Sequence, residues 1–230
     1  MLAVLLTRFG GVDALEVREV DDPAPGPGEV VVAVTAVAVN NTDVWTRQGA
    51  YGADEPAGWL GPIDFPRVPG ADVCGRVEDV GAGVDPTWRG RRVLVDPVLE
   101  YAAGPEPLVA AVLGSEADGG YAERVVVRAD RVHDVSASPL SDAQLSCLPI
   151  AYGTATGMLE RAGIGAGETV LVTGASGGVG LALVDLAAQR GARVVALSSA
   201  DKADDVLAAG AEVVVDRGAD DVVGRLAELA

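Results

Sequence analysis

The chain has 230 residues, 49% of them apolar, and a mean hydropathy of +0.29. Its 34 acidic side chains against 17 basic ones give a net charge of −17 and an isoelectric point near 4.3. Such a chain can bury a large core as one domain or two, and its charge repels phosphate backbones and anionic lipids, so neither nucleic acid nor membrane is expected as a partner.

No apolar run reaches the roughly 18 to 20 residues of a membrane span. The N-terminus lacks a basic stretch followed by an apolar one, so a cytoplasmic location without a secretion signal is expected. Two cysteines, Cys74 and Cys147, and one histidine, His133, are too few for a disulfide framework and lack zinc-ligand spacing. Both cysteines read as small buried side chains, and His133 as structural. The basic residues are sixteen arginines and a single lysine, Lys202.

The first half reads as β structure. Valine-rich segments at 2–7, 15–20, 29–39, 74–80, 91–97 and 122–127 are separated by Gly, Pro and Asp turns. Short strands at this spacing suggest a twisted, barrel-like β domain. The Gly- and Pro-rich stretch 49–69, with Tyr51 and Trp59, is long enough to suggest a functional loop. Character changes near Pro139. Residues 138–163 read as two helices around Pro149, with Ser141 as an N-cap. Strand 169–173, helix 178–190, strand 193–198, helix 201–209, strand 212–216 and helix 219–229 then alternate, as parallel βαβ units do.

The turn "GASGGVG" (174–180) follows a strand and opens a helix, the context that a dinucleotide fingerprint requires. Gly174 permits the tight turn, Gly177 lets the backbone approach a pyrophosphate, and Gly180 lets the helix pack on the strand. The helix N-terminus, through Ala175, Ser176, Gly178 and Val179, offers N–H groups and partial positive charge to phosphates. No Gly-Lys-Ser/Thr follows, so a P-loop is excluded. At the tip of the second strand, about 20 residues on, an acid would bind a ribose 2′-hydroxyl. Here Ser198 and Ser199 stand there, with Lys202 one turn later. Hydroxyls and a cation suit a 2′-phosphate, which favours NADPH over NADH. Ser198 as a helix cap completed by Asp201 is the plain structural alternative.

The segments "PGPGEVVVAVTAVAVNNTDVWTRQGAY", "FPRVPGADVCGRVEDVGAGV", "GRRVLV", "GGYAERVVV" and "GETVLVTGASGGVGLALVDLAAQRGARVVAL" resemble the medium-chain dehydrogenase/reductase superfamily, in its quinone oxidoreductase branch. The resemblance implies a GroES-like β-barrel domain over residues 1–138. It implies a Rossmann NADP-binding domain, a doubly wound parallel sheet, from 139 to 230. Only the first half of that sheet is present, its third strand left as an exposed edge, so truncation at the C-terminus is expected. A homodimer is implied for the intact family member. Zinc-dependent members carry a cysteine near Asn40 and a Gly-His-Glu near Gly70-Ala71-Asp72. This sequence has neither the cysteine nor the histidine, and lacks the four-cysteine lobe expected between 96 and 118, so no metal site is expected. Short-chain dehydrogenases share only the glycine turn. They need a tyrosine four residues before a lysine, and Ser198 stands there.

The resemblance further implies hydride transfer from NADPH to a quinone or other α,β-unsaturated carbonyl without zinc, with donors stabilising charge on the acceptor oxygen. Asn40 and Asp43 match the segment lining the cofactor cleft. Trp45 falls at an aromatic position that is often tyrosine, and Tyr51 lies on the following loop. Thr154 matches a threonine beside the nicotinamide. Each residue also has a plainer reading: Asn40 and Asp43 as turn caps, Trp45 as core, Tyr51 as a surface aromatic, Arg47 as a solvated charge, and Tyr152 packed under a helix. A zinc-type alcohol dehydrogenase, an enoyl reductase and a non-catalytic cofactor-binding module stay open as alternatives.

Overall fold

Alternating valines build the first part of the molecule. In the computed structural model, which describes residues 1–52, 55–57, 61–103 and 108–229, strands β1 (Leu2–Leu6) and β2 (Leu15–Glu19) form an antiparallel hairpin. There follow β3 (Glu29–Ala38), helix α1 (Asn41–Gln48), β4 (Asp72–Val80), β5 (Arg92–Val95), β6 (Val98–Ala102), β7 (Leu108–Val112), β8 (Arg124–Arg128) and β9 (Val132–Asp134). Five of them pair antiparallel in the order β8-β3-β4-β5-β9. Side chains two apart on a strand share a face, so Val30 and Val32, Val73 and Val77, Val93 and Val95, and Val125 and Val127 meet in one buried cluster. Irregularities in the β3–β4 register, at Val31/Val32 and Val34/Ala36, bend the pair. Without cysteines, Val98–Ala102 and Leu108–Val112 pair antiparallel as β6 and β7.

Helix α2 (Asp142–Ser146) starts as the sequence suggests. The Ser141 hydroxyl accepts the Gln144 N–H at 3.3 Å, and the Gln144 side-chain oxygen accepts the Ser141 N–H at 2.9 Å. The helix packs on β3 and β4. Arg92, nearly buried on β5, reinforces this by donating to Asp142 Oδ1 at 2.5 Å and to the Ser138 and Leu140 carbonyls at 3.1 and 2.6 Å. The chain accordingly divides into two compact units, Met1–Pro149 and Ile150–Ala230. Residues 139–149 stay with the β unit, beyond the boundary at 138/139 that the change in composition suggests.

The second unit is built from α3 (Pro149–Ala162), β10 (Thr169–Thr173), α4 (Gly178–Gln189), β11 (Arg193–Ser198), α5 (Ala203–Ala208), β12 (Val213–Asp216) and α6 (Val222–Leu229). Its strands are parallel, in the order β10-β11-β12, with Thr169 opposite Arg193 and Val195 opposite Val213. Val172, Val194 and Ala196 pack with Leu159 of α3, Val184 of α4 and Val206 of α5. The third strand is an edge, as expected, and so is β10, where Leu171 is 46% exposed.

Two expectations need correction. A 3-10 turn, Ala200–Lys202, precedes α5 where one continuous helix was expected. Cys74 is buried, but Cys147 is exposed, because it follows the short α2 on its outer side. Among the described residues, no helix is long and apolar enough to cross a membrane.

Candidate functional site

Two groups of polar residues stand out, one in each unit. In the β unit, Asn40 is the N-cap of α1, and its backbone N–H donates to the Asp43 carboxylate at 2.7 Å, the return half of a capping box. The capping reading of Asn40 and Asp43 is therefore real. More is attached to it. The Asn40 side-chain amide donates to Asp72 Oδ2 at 2.9 Å, and Asp72 on β4 is fully buried. Burial pushes the Asp43 carboxyl above the usual carboxylate range, while the N–H groups of Asn40, Ala71 and Gly70 and the Tyr121 phenol pull it back. Burial and the Asp43 charge together push the Tyr121 phenol well above its ordinary value.

Gly70 makes this arrangement possible. Its φ is +99°, and a Cβ there would lie 2.3 Å from the Tyr121 ring. Only glycine lets the chain turn here this close to that ring. Sequence reasoning passed over Tyr121 and Asp72, although both lie in the segments "GGYAERVVV" and "VPGADVCG" that carry the resemblance.

Trp45 is 48% exposed on α1, which removes the core reading. It meets Tyr51 edge to face, with ring centroids 6.1 Å apart. The Tyr51 phenol is raised by burial and by the Asp43 charge. Arg47 Nε donates to the Gly10 carbonyl at 3.2 Å, so it anchors the end of α1 rather than floating in solvent. Trp59 lies outside the described residues. His133 is exposed on β9, and among the described residues no group of three or more His, Cys, Asp or Glu is placed to hold a metal ion.

The second group surrounds the glycine turn. Gly174 has φ +61°, a left-handed conformation that glycine adopts without strain. A Cβ on Gly180 would sit 2.2 Å from the Gly174 carbonyl oxygen, so the first turn of α4 closes on the loop only with glycine there. Gly177 and Gly178 differ. Gly177 has φ −81°, which any residue adopts, and its Cβ would meet only the Gly174 oxygen at 3.4 Å. A Cβ on Gly178 would meet only Ala151 at 3.9 Å. Neither backbone conformation nor packing within the unit demands glycine at these two exposed positions. What they keep open is the approach to the N-terminus of α4, where unpaired N–H groups gather.

The remaining predicted residues divide. Ser176 and Val179 are half-buried beside this opening, and Val179 packs on the unit's core. Ala175 is fully buried and its N–H donates to the Leu197 carbonyl at 3.2 Å, tying the turn to β11 rather than facing outward. Ser198, at the end of β11, is 2% exposed, and its hydroxyl has no hydrogen-bond partner. Ser199, not Ser198, is the cap of the following turn, and it makes no side-chain cap bond. Lys202 is exposed at the end of that turn. Thr154 lies on the exposed side of α3, while Tyr152 packs inward and donates to Asp185 of α4 at 3.0 Å, as the packing reading has it.

The comparisons with known proteins agree with this architecture. The alcohol dehydrogenase GroES-like domain family matches residues 26–137. The acryloyl-coenzyme A reductase of Metallosphaera sedula is 33% identical over 214 residues, covering 90% of this chain and 61% of its own. The quinone oxidoreductase of Rattus norvegicus is 33% identical over 224 residues, with coverages of 96% and 58%. Among solved structures, a Sinorhizobium meliloti protein assigned to the alcohol dehydrogenases superposes with a TM-score of 0.89 at 43% identity, covering 99% of this chain and 65% of that one. An NAD-dependent alcohol dehydrogenase gives 0.88 at 32%, covering 100% and 67%. The chain belongs to the medium-chain dehydrogenase/reductase superfamily, an oxidoreductase family, on its quinone oxidoreductase-like branch. Its first unit is the GroES-like domain and its second a partial Rossmann-type sheet. A mycobacterial protein solved in complex with NADPH has a TM-score of 0.77 at 31% identity, covering 100% and 63%. The chain spans about three fifths of the length of the curated relatives it matches.

Proposed function

We propose that this protein belongs to an NADPH-dependent oxidoreductase that reduces quinones or other α,β-unsaturated carbonyl compounds without zinc. The observation that carries the reading is the pair Gly177 and Gly178, glycines that neither backbone nor packing requires, at the mouth of the α4 N-terminus. A pyrophosphate fits there, held by the N–H groups of the first helical turn and their partial positive charge. The buried, unpartnered Ser198 hydroxyl, the half-buried Ser199 and the exposed Lys202 suit a phosphorylated ribose at the neighbouring strand end. When bound, the nicotinamide supplies the hydride.

The residues of the β unit have a different task in this reading. Asn40 carries two amide N–H donors, one engaged with Asp72. The other is left to stabilise negative charge on an acceptor oxygen. The Asp43 cap holds Asn40 in place. Trp45 and Tyr51 offer an apolar, aromatic surface for a flat conjugated acceptor. Asn40 and Ala71 stand where zinc-dependent members carry Cys and His, and neither is a zinc ligand of the usual kind. Relatives named quinone oxidoreductase and acryloyl-coenzyme A reductase support the acceptor class, since quinones and acryloyl thioesters share a conjugated carbonyl.

The test is a fluorescence titration of the 230-residue chain with NADPH and NADH, alongside Gly177→Val and Gly178→Val. NADPH binding by the wild type, weakened about tenfold or more in both variants with unchanged thermal unfolding, is the expected result. A folded wild-type chain that binds neither cofactor refutes the reading.

A further inference from the structure

Aromatic side chains are scarce in this protein, and the first unit gathers them at one place. Both phenylalanines, with Trp45 and Tyr51, lie around helix α1. The Phe9 and Phe65 rings meet edge to face with centroids 4.9 Å apart, the same geometry as the Trp45–Tyr51 pair. The C-cap of α1 packs against the first of these pairs. Gly49 has φ +69°, and a Cβ there would lie 3.0 Å from the Phe9 ring and 2.6 Å from Pro56. Trp45, Phe65 and Val39 are all exposed. Joined apolar surface of this kind on a charged protein marks a place where something binds.

The charge around these rings is one-sided. Residues 40–66 hold four acids, Asp43, Asp54, Glu55 and Asp64, and a single base, Arg47. Glu55 and Asp64 are exposed. The three arginines nearest in the chain are each engaged. Arg8 pairs with Asp13 at 2.5 Å and Arg67 with Asp118 at 3.2 Å. Arg47 donates to the Gly10 carbonyl and balances the partial negative charge at the C-terminus of α1.

These two features discriminate among acceptors that share a conjugated carbonyl. A quinone or an aryl enone is flat and uncharged and can stack on exposed rings. A coenzyme A thioester brings a phosphomonoester and a pyrophosphate, about four negative charges near neutral pH. Those charges need arginines or lysines to meet them, and acids in their place repel them.

We propose that this face of the first unit selects an uncharged, aromatic acceptor and turns away coenzyme A thioesters, with Trp45 as the stacking surface and Glu55 and Asp64 as the source of repulsion. The inference rests on the oxidoreductase reading given above and narrows its acceptor. It sets this chain apart from the relative named acryloyl-coenzyme A reductase, which it matches at 33% identity. Selectivity of this kind lies as much in the repelled ligand as in the favoured one.

The test is calorimetric titration of the full 230-residue chain, with NADP⁺ bound so that the adenine of coenzyme A meets no open cofactor site. Three probes are compared: 2,3-dimethyl-1,4-naphthoquinone, whose ring is blocked to thiols; crotonyl-coenzyme A; and S-crotonyl-N-acetylcysteamine, the same thioester without phosphates. The naphthoquinone is expected to bind at least about tenfold more tightly than crotonyl-coenzyme A, and the phosphate-free ester about threefold more tightly than its coenzyme A counterpart. Trp45→Ala should weaken the naphthoquinone about fivefold and leave the phosphate-free ester within about twofold. Glu55→Gln combined with Asp64→Asn should tighten crotonyl-coenzyme A about threefold and leave both uncharged probes unmoved. Crotonyl-coenzyme A binding as tightly as its phosphate-free ester overturns the selection by charge, and so does a charge variant that gains nothing for it. An unchanged naphthoquinone affinity in Trp45→Ala overturns the stacking role. If the chain binds NADPH but none of the three probes, the cofactor reading survives and this inference alone falls. A folded chain that binds neither NADPH nor NADH refutes the cofactor reading and takes this inference with it.

Discussion

The two units hold their candidate residues in opposite ways. Around the glycine turn the backbone is the instrument: conformation at Gly174, close approach at Gly180 and open space at Gly177 and Gly178. In the β unit side chains are the instrument, and most of them hold one another. Asp43 accepts the Asn40 N–H at 2.7 Å, and Asn40 gives an amide hydrogen to a buried Asp72. A backbone device spans seven consecutive residues and can be read directly. A side-chain device joins residues 40, 43, 70, 72 and 121, and only the folded sheet brings them together.

This contrast can be broken most severely at Gly180. Gly180→Val is expected to cost about 3 kcal/mol, because its Cβ would overlap the Gly174 carbonyl and the loop cannot recede from α4 without losing packing. Urea unfolding followed by circular dichroism measures it. A cost like that of Gly177→Val would show that the four glycines do not divide as described.

Asp43 is next. Asp43→Ala leaves the Asn40 N–H without its acceptor, breaks the capping box and is expected to lose about 2 kcal/mol of stability. Its pH dependence has a definite sign. Burial raises the folded-state pKa above the ordinary 3.8, so the native protein holds this proton more tightly than the unfolded chain. The contribution of Asp43 to stability is therefore greatest below pH 3.8 and declines as pH rises through the raised native value. The stability of wild type relative to Asp43→Asn should fall over that window. A difference that is flat or rises with pH would mean that the hydrogen bonds to Asp43 outweigh its burial.

The smallest effect belongs to Tyr121→Phe, which removes the phenol and keeps the ring over Gly70. Because the buried Tyr121 hydroxyl has no hydrogen-bond partner, a change of less than about 1 kcal/mol is expected, readable as a thermal midpoint that holds or rises slightly. A marked drop would show that the phenol braces Asp43.

The comparison also explains what was legible in the sequence. Val30, Val32, Val93 and Val95 announce their strands by period alone, and β10 and β11 match the predicted spans because each is a short apolar-rich run bounded by turns. Helix α1 escaped, since the polar Asn41–Gln48 carries no apolar stripe, although the Asn-x-x-Asp of its cap was visible. The β6–β7 pair escaped because its pairing is local and its apolar residues do not alternate cleanly. Ser198 was singled out for its place at a strand tip. That its hydroxyl is buried and unpartnered depends on how β11 is packed and paired with β12, which no local pattern specifies.

The composition leaves one practical consequence. Lys202 carries the chain's only side-chain amine, and it is exposed. The remaining amine, on Met1, is nearly buried, donates to the Val20 carbonyl at 2.8 Å and pairs with Asp22 at 3.0 Å. Acylating or reductively methylating reagents will thus deposit their label chiefly at the end of the second Rossmann strand. A fluorophore or isotopic methyl group placed there in one step would report occupancy of that strand tip, with no residue of the protein replaced.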